Sequence, residues 1–400
     1  MYSVRKVTED LWWVGCNDRR TALLENIHPI PQGVSYNSYL LLDEKTVLFD
    51  AVDASAVPHF MENMEHVLNG RELDYVVVHH LEPDHGAGLK AVLDRWPGAT
   101  VVGGALALKF MEQFGCAHSN KLPVKEGQTL SFGRHELTFY AAGMVHWPEV
   151  MMSYDALDKI LFSADAFGTF GALNGRLFAD EWDVEKDWLP EGRRYYTNIV
   201  GKYGPQVQAA LKKAAGLDIA MICPLHGPVW RDDLAWLLEK YDKWSRYEPE
   251  EKGALIVYGS MYGNTESVAD ALAADLVEQG VKVAMYDAST APVSLLVAET
   301  FRLSHVVLVS CTYNLDLYPP VHEYLSHLRL LEVRNRTFTI VENGTWMPKA
   351  GDVMKKMITE ELKDCAVAGD KFSVKSSMPA GRAEELSALA EAVAARVKGE

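Results

Sequence analysis

At 400 residues the chain exceeds one ordinary core, and two domains of roughly 150 to 250 residues each are expected. Hydrophobic residues at 48% and charged residues at 24% are the balance of a globular protein, which excludes disorder and solenoid repeats, while a formal net charge of -16 argues against nucleic acid as a partner. The five cysteines (Cys16, Cys116, Cys223, Cys311, Cys365) are scattered without a C-x-x-C pair, no apolar run reaches the roughly 18 residues that span a bilayer, and MYSVRKVTED has no apolar leader core, so disulfides, cysteine-ligated metal and membrane insertion are not expected and the cytoplasm is.

Taken in chain order, the apolar runs YLLL, TVLF, YVVV, TVVG, LTFY, KILFSA and IAMIC read as short strands between Val34 and about Gly227. Helical stretches around Val57 to Leu68 and Ala105 to Phe114 fall between some of them, so sheets with covering helices are predicted. The polar segment SRYEPEEKG after Trp244 reads as a linker and divides the chain at 1–248 and 253–400. Beyond it, ALIVY, KVAMYD, HVVLVS, TFTIVEN and KFSVK alternate with amphipathic helices such as ESVADALAADLVEQ. Fully apolar strands in that alternation predict a doubly wound parallel sheet of the flavodoxin kind.

Directly after YVVV stands His79-His80-Leu81-Glu82-Pro83-Asp84-His85, with four potential metal ligands from His80 onward. In extended backbone His80 and Glu82 fall on one side, and Asp84 and His85 follow where the chain turns, so one strand end can address two adjacent ions. His146, Asp165 and His226 each follow an apolar strand. Any one of them alone would more often be a core histidine or a helix cap, but together with the cluster they favour metal binding over packing. His79 has no place in the pattern and reads as structural.

The order and context of these residues resemble the metallo-β-lactamase superfamily over about residues 30 to 230, which implies an αββα sandwich. Zinc members of that superfamily carry a histidine where Glu82 stands, and the form H-x-E-x-D-H is similar to flavodiiron proteins. That resemblance implies two irons, one held by His80, Glu82 and His146, the other by Asp84, His85 and His226, with Asp165 bridging. Three carboxylates against two ferrous ions leave one positive charge, which a bridging hydroxide would cancel. Trp147-Pro148-Glu149 and the stretch Arg193 to Tyr196 are candidates for the surroundings of the metals, with Tyr195 the tyrosine the resemblance implies near the irons. Where many flavodiiron proteins have a histidine before the Gly-x-x-Tyr-Asn segment, an ungapped count from Gly33 places Asn26, with His28 nearby.

The strand ALIVY runs into Gly259-Ser260-Met261-Tyr262-Gly263-Asn264-Thr265 and then a helix. Backbone amides there, with the hydroxyls of Ser260 and Thr265, suit a phosphate at a helix N-terminus, and the absence of a lysine or of G-x-G-x-x-G argues for a monophosphate such as that of FMN. Two more loops at strand ends, one with Thr312, Tyr313, Asn314 and Leu315 and one with Asn343, Gly344, Thr345 and Trp346, are in position to hold the isoalloxazine.

The flavodiiron resemblance covers nearly the whole chain. It implies reduction of dioxygen to water, of nitric oxide to nitrous oxide, or both, at the diiron site with electrons passed through FMN. It also implies a head-to-tail homodimer or a homotetramer built from it. Without a C-x-x-C pair no rubredoxin module is expected, so the donor would be a separate rubredoxin or flavoprotein reductase. A zinc hydrolase fused to a flavodoxin is the rival reading, and Glu82 argues against it. A pure electron carrier would not need the full ligand set.

Overall fold

Runs rich in valine, leucine and phenylalanine build two facing sheets in the first part of the structure, a computed structural model that describes residues 1–399. This unit comprises Met1–Tyr196 and Pro205–Asp242. Its first sheet has seven strands in chain order: β1 (Arg5–Lys6), β2 (Leu11–Trp13), β3 (Tyr39–Leu42), β4 (Thr46–Phe49), β5 (Tyr75–Val78), β6 (Thr100–Gly104) and β7 (Lys121–Val124). Pairing is antiparallel up to β4 and parallel beyond it. The second sheet, again in chain order, holds β8 (Thr129–Ser131), β9 (Glu136–Ala141), β10 (Met151–Asp155), β11 (Ile160–Phe162) and β12 (Met221–Cys223).

Between the sheets lies the core, where Phe49 of β4 stacks on Phe162 of β11 with ring centroids 4.0 Å apart. Burial of each such ring contributes about 2 to 3 kcal/mol. Helix α1 (Val57–Leu68) packs against β3 through Phe60, Met64, Val67 and Leu68, an i, i+4, i+7, i+8 stripe, and stops at Asn69, which takes the left-handed conformation. Helix α2 (Ala105–Gln113) packs against β6, and Val207 and Leu211 lie against Met152 and Leu161 of the second sheet. The result is the expected αββα sandwich. Strand β10 lies outside the predicted strands because Ser153 and Asp155 break its apolar run, although all five of its residues are buried.

The second unit comprises Thr197–Gly204 and the chain from Lys243 on. Its main strands are β13 (Glu251–Gly259), β14 (Val283–Asp287), β15 (Leu303–Tyr313) and β16 (Thr337–Asn343), arranged β14-β13-β15-β16, with Phe372–Val374 and Ala366–Val367 pairing beyond β16, all parallel. Leu272, Leu386 and Val393, from the helices Asn264–Glu278 and Ala383–Lys398, cover Ile256, Val307 and Val341. The strand order reverses direction at β13 and β15. Their C-terminal ends therefore frame the crevice in which doubly wound sheets bind ligands.

The predicted linker is not a free connection. Strand β13 already begins at Glu251, and Tyr247 is buried against Phe301 while its carbonyl accepts a bond from the buried Arg336 guanidinium at 2.7 Å. Among the described residues no helix is long and apolar enough to cross a membrane.

Candidate functional site

Four loops at the strand ends of the sandwich gather the predicted ligands. His80 and Glu82 follow β5, Asp84 and His85 lie in the single helical turn Pro83–Gly86, His146 in the β9–β10 loop, Asp165 after β11 and His226 after β12. They form two groups, His80, Glu82, His146 and Asp165 in one and Asp84, His85 and His226 in the other, with one donor atom per residue within 4.8 Å of the others in its group. Asp165 faces both. Its Oδ2 lies 3.2 Å from Nε2 of His80 and 3.2 Å from Nε2 of His146, and its Oδ1 lies 3.1 Å from Nε2 of His85 and 3.7 Å from Nε2 of His226. Glu82 Oε2 is 2.9 Å from His146 Nε2, and Asp84 Oδ2 is 3.2 Å from His226 Nε2.

Apart from His80 Nε2, which meets Glu82 Oε2 at 3.2 Å, several of these atoms are close without an aligned hydrogen bond. Both oxygens of Asp165, Oδ1 of Asp84 and Nε2 of His146 are buried and make no aligned hydrogen bond, and Nε2 of His85 faces Nε2 of His226 at 3.1 Å. Donors that converge on common points rather than on each other suit cations. Ligand atoms about 2.1 Å from a shared ion sit roughly 3.0 to 3.4 Å apart, the spacing seen here. Electrostatics agrees. Burial opposes a proton on His85 and on His146, yet Asp84 and Asp165 raise the first to about 9, and Asp165 and Glu82 raise the second to about 9. Burial likewise disfavours charge on Asp165, but His85 and His80 hold its carboxyl well below the usual range. The pocket demands positive charge, and the mixed nitrogen and oxygen donors fit two divalent ions of the iron type.

His79 is taken up by the core, its Nδ1 2.6 Å from Asp50 Oδ2 and its Nε2 2.8 Å from Ser153 Oγ, with Phe49 and Phe162 stacked nearby. Tyr195 is buried, its ring 5.5 Å from that of His226 and 5.3 Å from that of Phe170. Asn26 is exposed to solvent. With Glu25 it occupies the left-handed positions of an exposed turn between Leu23–Leu24 and His28–Pro29. The buried neighbour is His28, whose ring lies 6.0 Å from that of Phe170.

In the second unit a cavity of about 690 Å³ opens at the C-terminal ends of β13, β15 and β16. All of the predicted flavin residues line it except Gly263, which shapes it instead. At φ 88° Gly263 turns the chain into the helix Asn264–Glu278, and its amide donates to Ser260 Oγ at 3.1 Å. Tyr262 is 91% and Trp346 81% exposed, two aromatic faces left open at the rim of a pocket whose far end meets a helix N-terminus, an arrangement that fits a phosphorylated aromatic cofactor. Thr312 and Asn343 also have a structural task. Thr312 Oγ1 accepts from the amides of Lys349 and Ala350, and the Asn343 amide bonds the backbone of Ser376 at 2.8 and 3.0 Å.

Residues 34–227 match the family model of the ODP family beta lactamase, and residues 256–320 match flavodoxin. Rubredoxin-oxygen oxidoreductase of Megalodesulfovibrio gigas is 30% identical, with 98% of each chain covered. The anaerobic nitric oxide reductase flavorubredoxin of Aeromonas hydrophila is 32% identical over 96% of this chain and 77% of its own length. Among solved structures, a flavodiiron protein from Giardia intestinalis superposes with a TM-score of 0.92 at 25% identity, covering 100% of this chain and 98% of that one. The chain belongs to the flavodiiron protein family.

The rubredoxin oxygen:oxidoreductase structure from Desulfovibrio gigas gives a TM-score of 0.93 at 29% identity over 99% of both chains. As a flavodiiron oxidoreductase, the protein holds further residues at its two sites that the sequence reading did not single out. Cys311, Met347 and Ser376 line the flavin cavity. Ser376 belongs to a loop after Phe372–Val374 that bonds with Asn343 and Thr345 bring to the cavity, so no local pattern marks it. Asp50, at φ 53°, fixes the ligand strand by accepting from the amides of His79 and His80 at 2.7 and 3.3 Å. A lone aspartate 29 residues before the metal cluster carries no signal of that task.

Proposed function

We propose that this protein reduces dioxygen to water, nitric oxide to nitrous oxide, or both, as a cytoplasmic enzyme that carries two irons and FMN. The observation that carries this reading is the divided carboxylate of Asp165, with one oxygen toward each of two donor groups. His80, Glu82 and His146 would hold one iron, Asp84, His85 and His226 the other, and Asp165 would bridge. When bound, FMN supplies electrons singly or in pairs, and two ferrous ions can each supply one to a diatomic gas.

The chain's own residues prepare that chemistry. Glu82 presents a hard oxygen donor where a second imidazole would favour zinc. Burial of Asp165, His80, His85 and His226 keeps bulk water from the donors. Tyr195 packs beside His226 and is assigned to the wall of the gas-binding space. In the other unit, Ser260 to Thr265 would take the FMN phosphate at the helix N-terminus. Thr312 to Leu315 and Asn343 to Trp346 would clasp the isoalloxazine.

Names of relatives that pair rubredoxin with dioxygen or nitric oxide reduction support a rubredoxin, or a flavoprotein reductase, as the separate electron donor. A head-to-tail homodimer or a homotetramer would bring the flavin of one subunit to the irons of the next. Anaerobic stopped-flow of the fully reduced protein against each gas, read as flavin reoxidation and product formation, tests the reading. Reoxidation by neither gas, or two zincs in place of iron, would reject it.

A further inference from the structure

Behind the metal-facing nitrogens the two donor groups are built differently. Glu149 lies in the β9–β10 loop with its side chain 0% exposed, and its Oε1 accepts from His80 Nδ1 at 2.7 Å and from the amide of Leu81 at 3.1 Å. Its Oε2 is buried and makes no hydrogen bond, so the charge of the whole carboxylate is directed at the His80 segment. In the second group His226 Nδ1 donates instead to the neutral carbonyl of Ser35 at 2.7 Å, and Nδ1 of His85 has no hydrogen-bond partner among the described residues.

A carboxylate that takes the Nδ1 proton fixes the tautomer, locks the ring and makes the opposite nitrogen a stronger electron donor. A backbone carbonyl does this more weakly, and an absent partner does not do it. Resting on the diiron reading above, we infer that Glu149 is a positioning residue that makes the two metal positions unequal. Acting through His80, it tightens the hold on the ion at His80, Glu82 and His146 and favours that ion's oxidised state over that of its neighbour. The two irons would then lose electrons in a set order.

The test compares the full-length, iron-loaded protein with E149Q, which keeps the size and one acceptor oxygen but removes the charge, and with E149D. Iron retention is read by chelator competition, and the iron and flavin potentials by a redox titration followed by electron paramagnetic resonance and absorbance. E149Q should retain iron 10- to 100-fold less tightly. At a fixed potential its ratio of oxidised to reduced iron should fall about tenfold, a shift of about 59 mV for one electron. The flavin couples in the same molecule should not move, and E149D should fall between the wild type and E149Q. Wild-type retention and an unmoved iron potential in E149Q would overturn the inference. Should E149Q fail to fold, judged by lost flavin, E149D carries the test, and wild-type values there overturn it equally. A wild-type chain that takes up no iron would instead defeat the functional reading.

Discussion

In the first unit the donor side chains are packed against one another, with Asp165 only 1% exposed, whereas in the second the cavity is ringed by aromatic faces open to solvent, Tyr262 at 91% and Trp346 at 81%. One site is a concentration of charge that needs a cation. The other is a shape that needs a ring and a phosphate. The contrast extends to histidine itself. Carboxylates raise His85 and His146 to about 9, while in the second unit burial, with Arg396 nearby, pushes His305 down to about 4. The same side chain is a proton store in one place and a neutral core residue in the other, and the difference is set by which charges face it.

The largest effect that would break this contrast is at the shared carboxylate. D165A should lose both irons and at least about 100-fold in gas reduction while keeping its flavin. Metal analysis showing two retained irons per chain would contradict the divided role of Asp165.

Next, loading ferrous iron into the metal-free protein at pH 7 should release protons, because His85 and His146 carry them there until ions arrive. Their contribution to the stability of the metal-free chain is present below about 6.5 and disappears as pH rises through about 9, so iron uptake should strengthen over the same window. Calorimetry in buffers of different ionisation enthalpy counts the protons, and a count of zero at pH 7 would remove the proton store.

In the flavin unit the sign reverses. His305, whose Nε2 meets Thr339 Oγ1 at 2.9 Å, binds its proton more weakly folded than unfolded. Its contribution is complete above about 6.5 and is lost as pH falls toward about 4, by about 3 kcal/mol. Denaturant melts followed by flavin fluorescence should show that loss, and H305Q should flatten it. The smallest effect expected is W346A, which removes one aromatic face and should weaken FMN binding about threefold to tenfold with iron content unchanged.

The grouping of the candidate metal donors was legible because a strand end concentrates four of them in six residues and the others each close an apolar strand. The loops that line the second unit's cavity were legible for the same reason, since doubly wound sheets place ligand crevices at strand ends. What escaped depends on partners far apart in sequence. Glu149 is legible as a candidate for the metal surroundings, but its bond to His80 forms only when folding closes a gap of 69 residues, and Ser376 reaches the cavity through Asn343 and Thr345. The ungapped count that places Asn26 before Gly33 does not register the hairpin turn at Glu25 and Asn26, which leaves Asn26 exposed and its neighbour His28 buried. The linker misled because its charged residues hide one anchor, Tyr247.

A single side chain with one oxygen for each ion also governs how the centre fills. The first ion to arrive fixes the torsion of Asp165 and so prepares the seat for its companion, while a lone ion leaves the other oxygen buried and uncompensated. Occupancy should therefore be all or none. A preparation averaging one iron per chain would be a blend of complete and vacant molecules, and mass spectrometry under native conditions should find few chains in between.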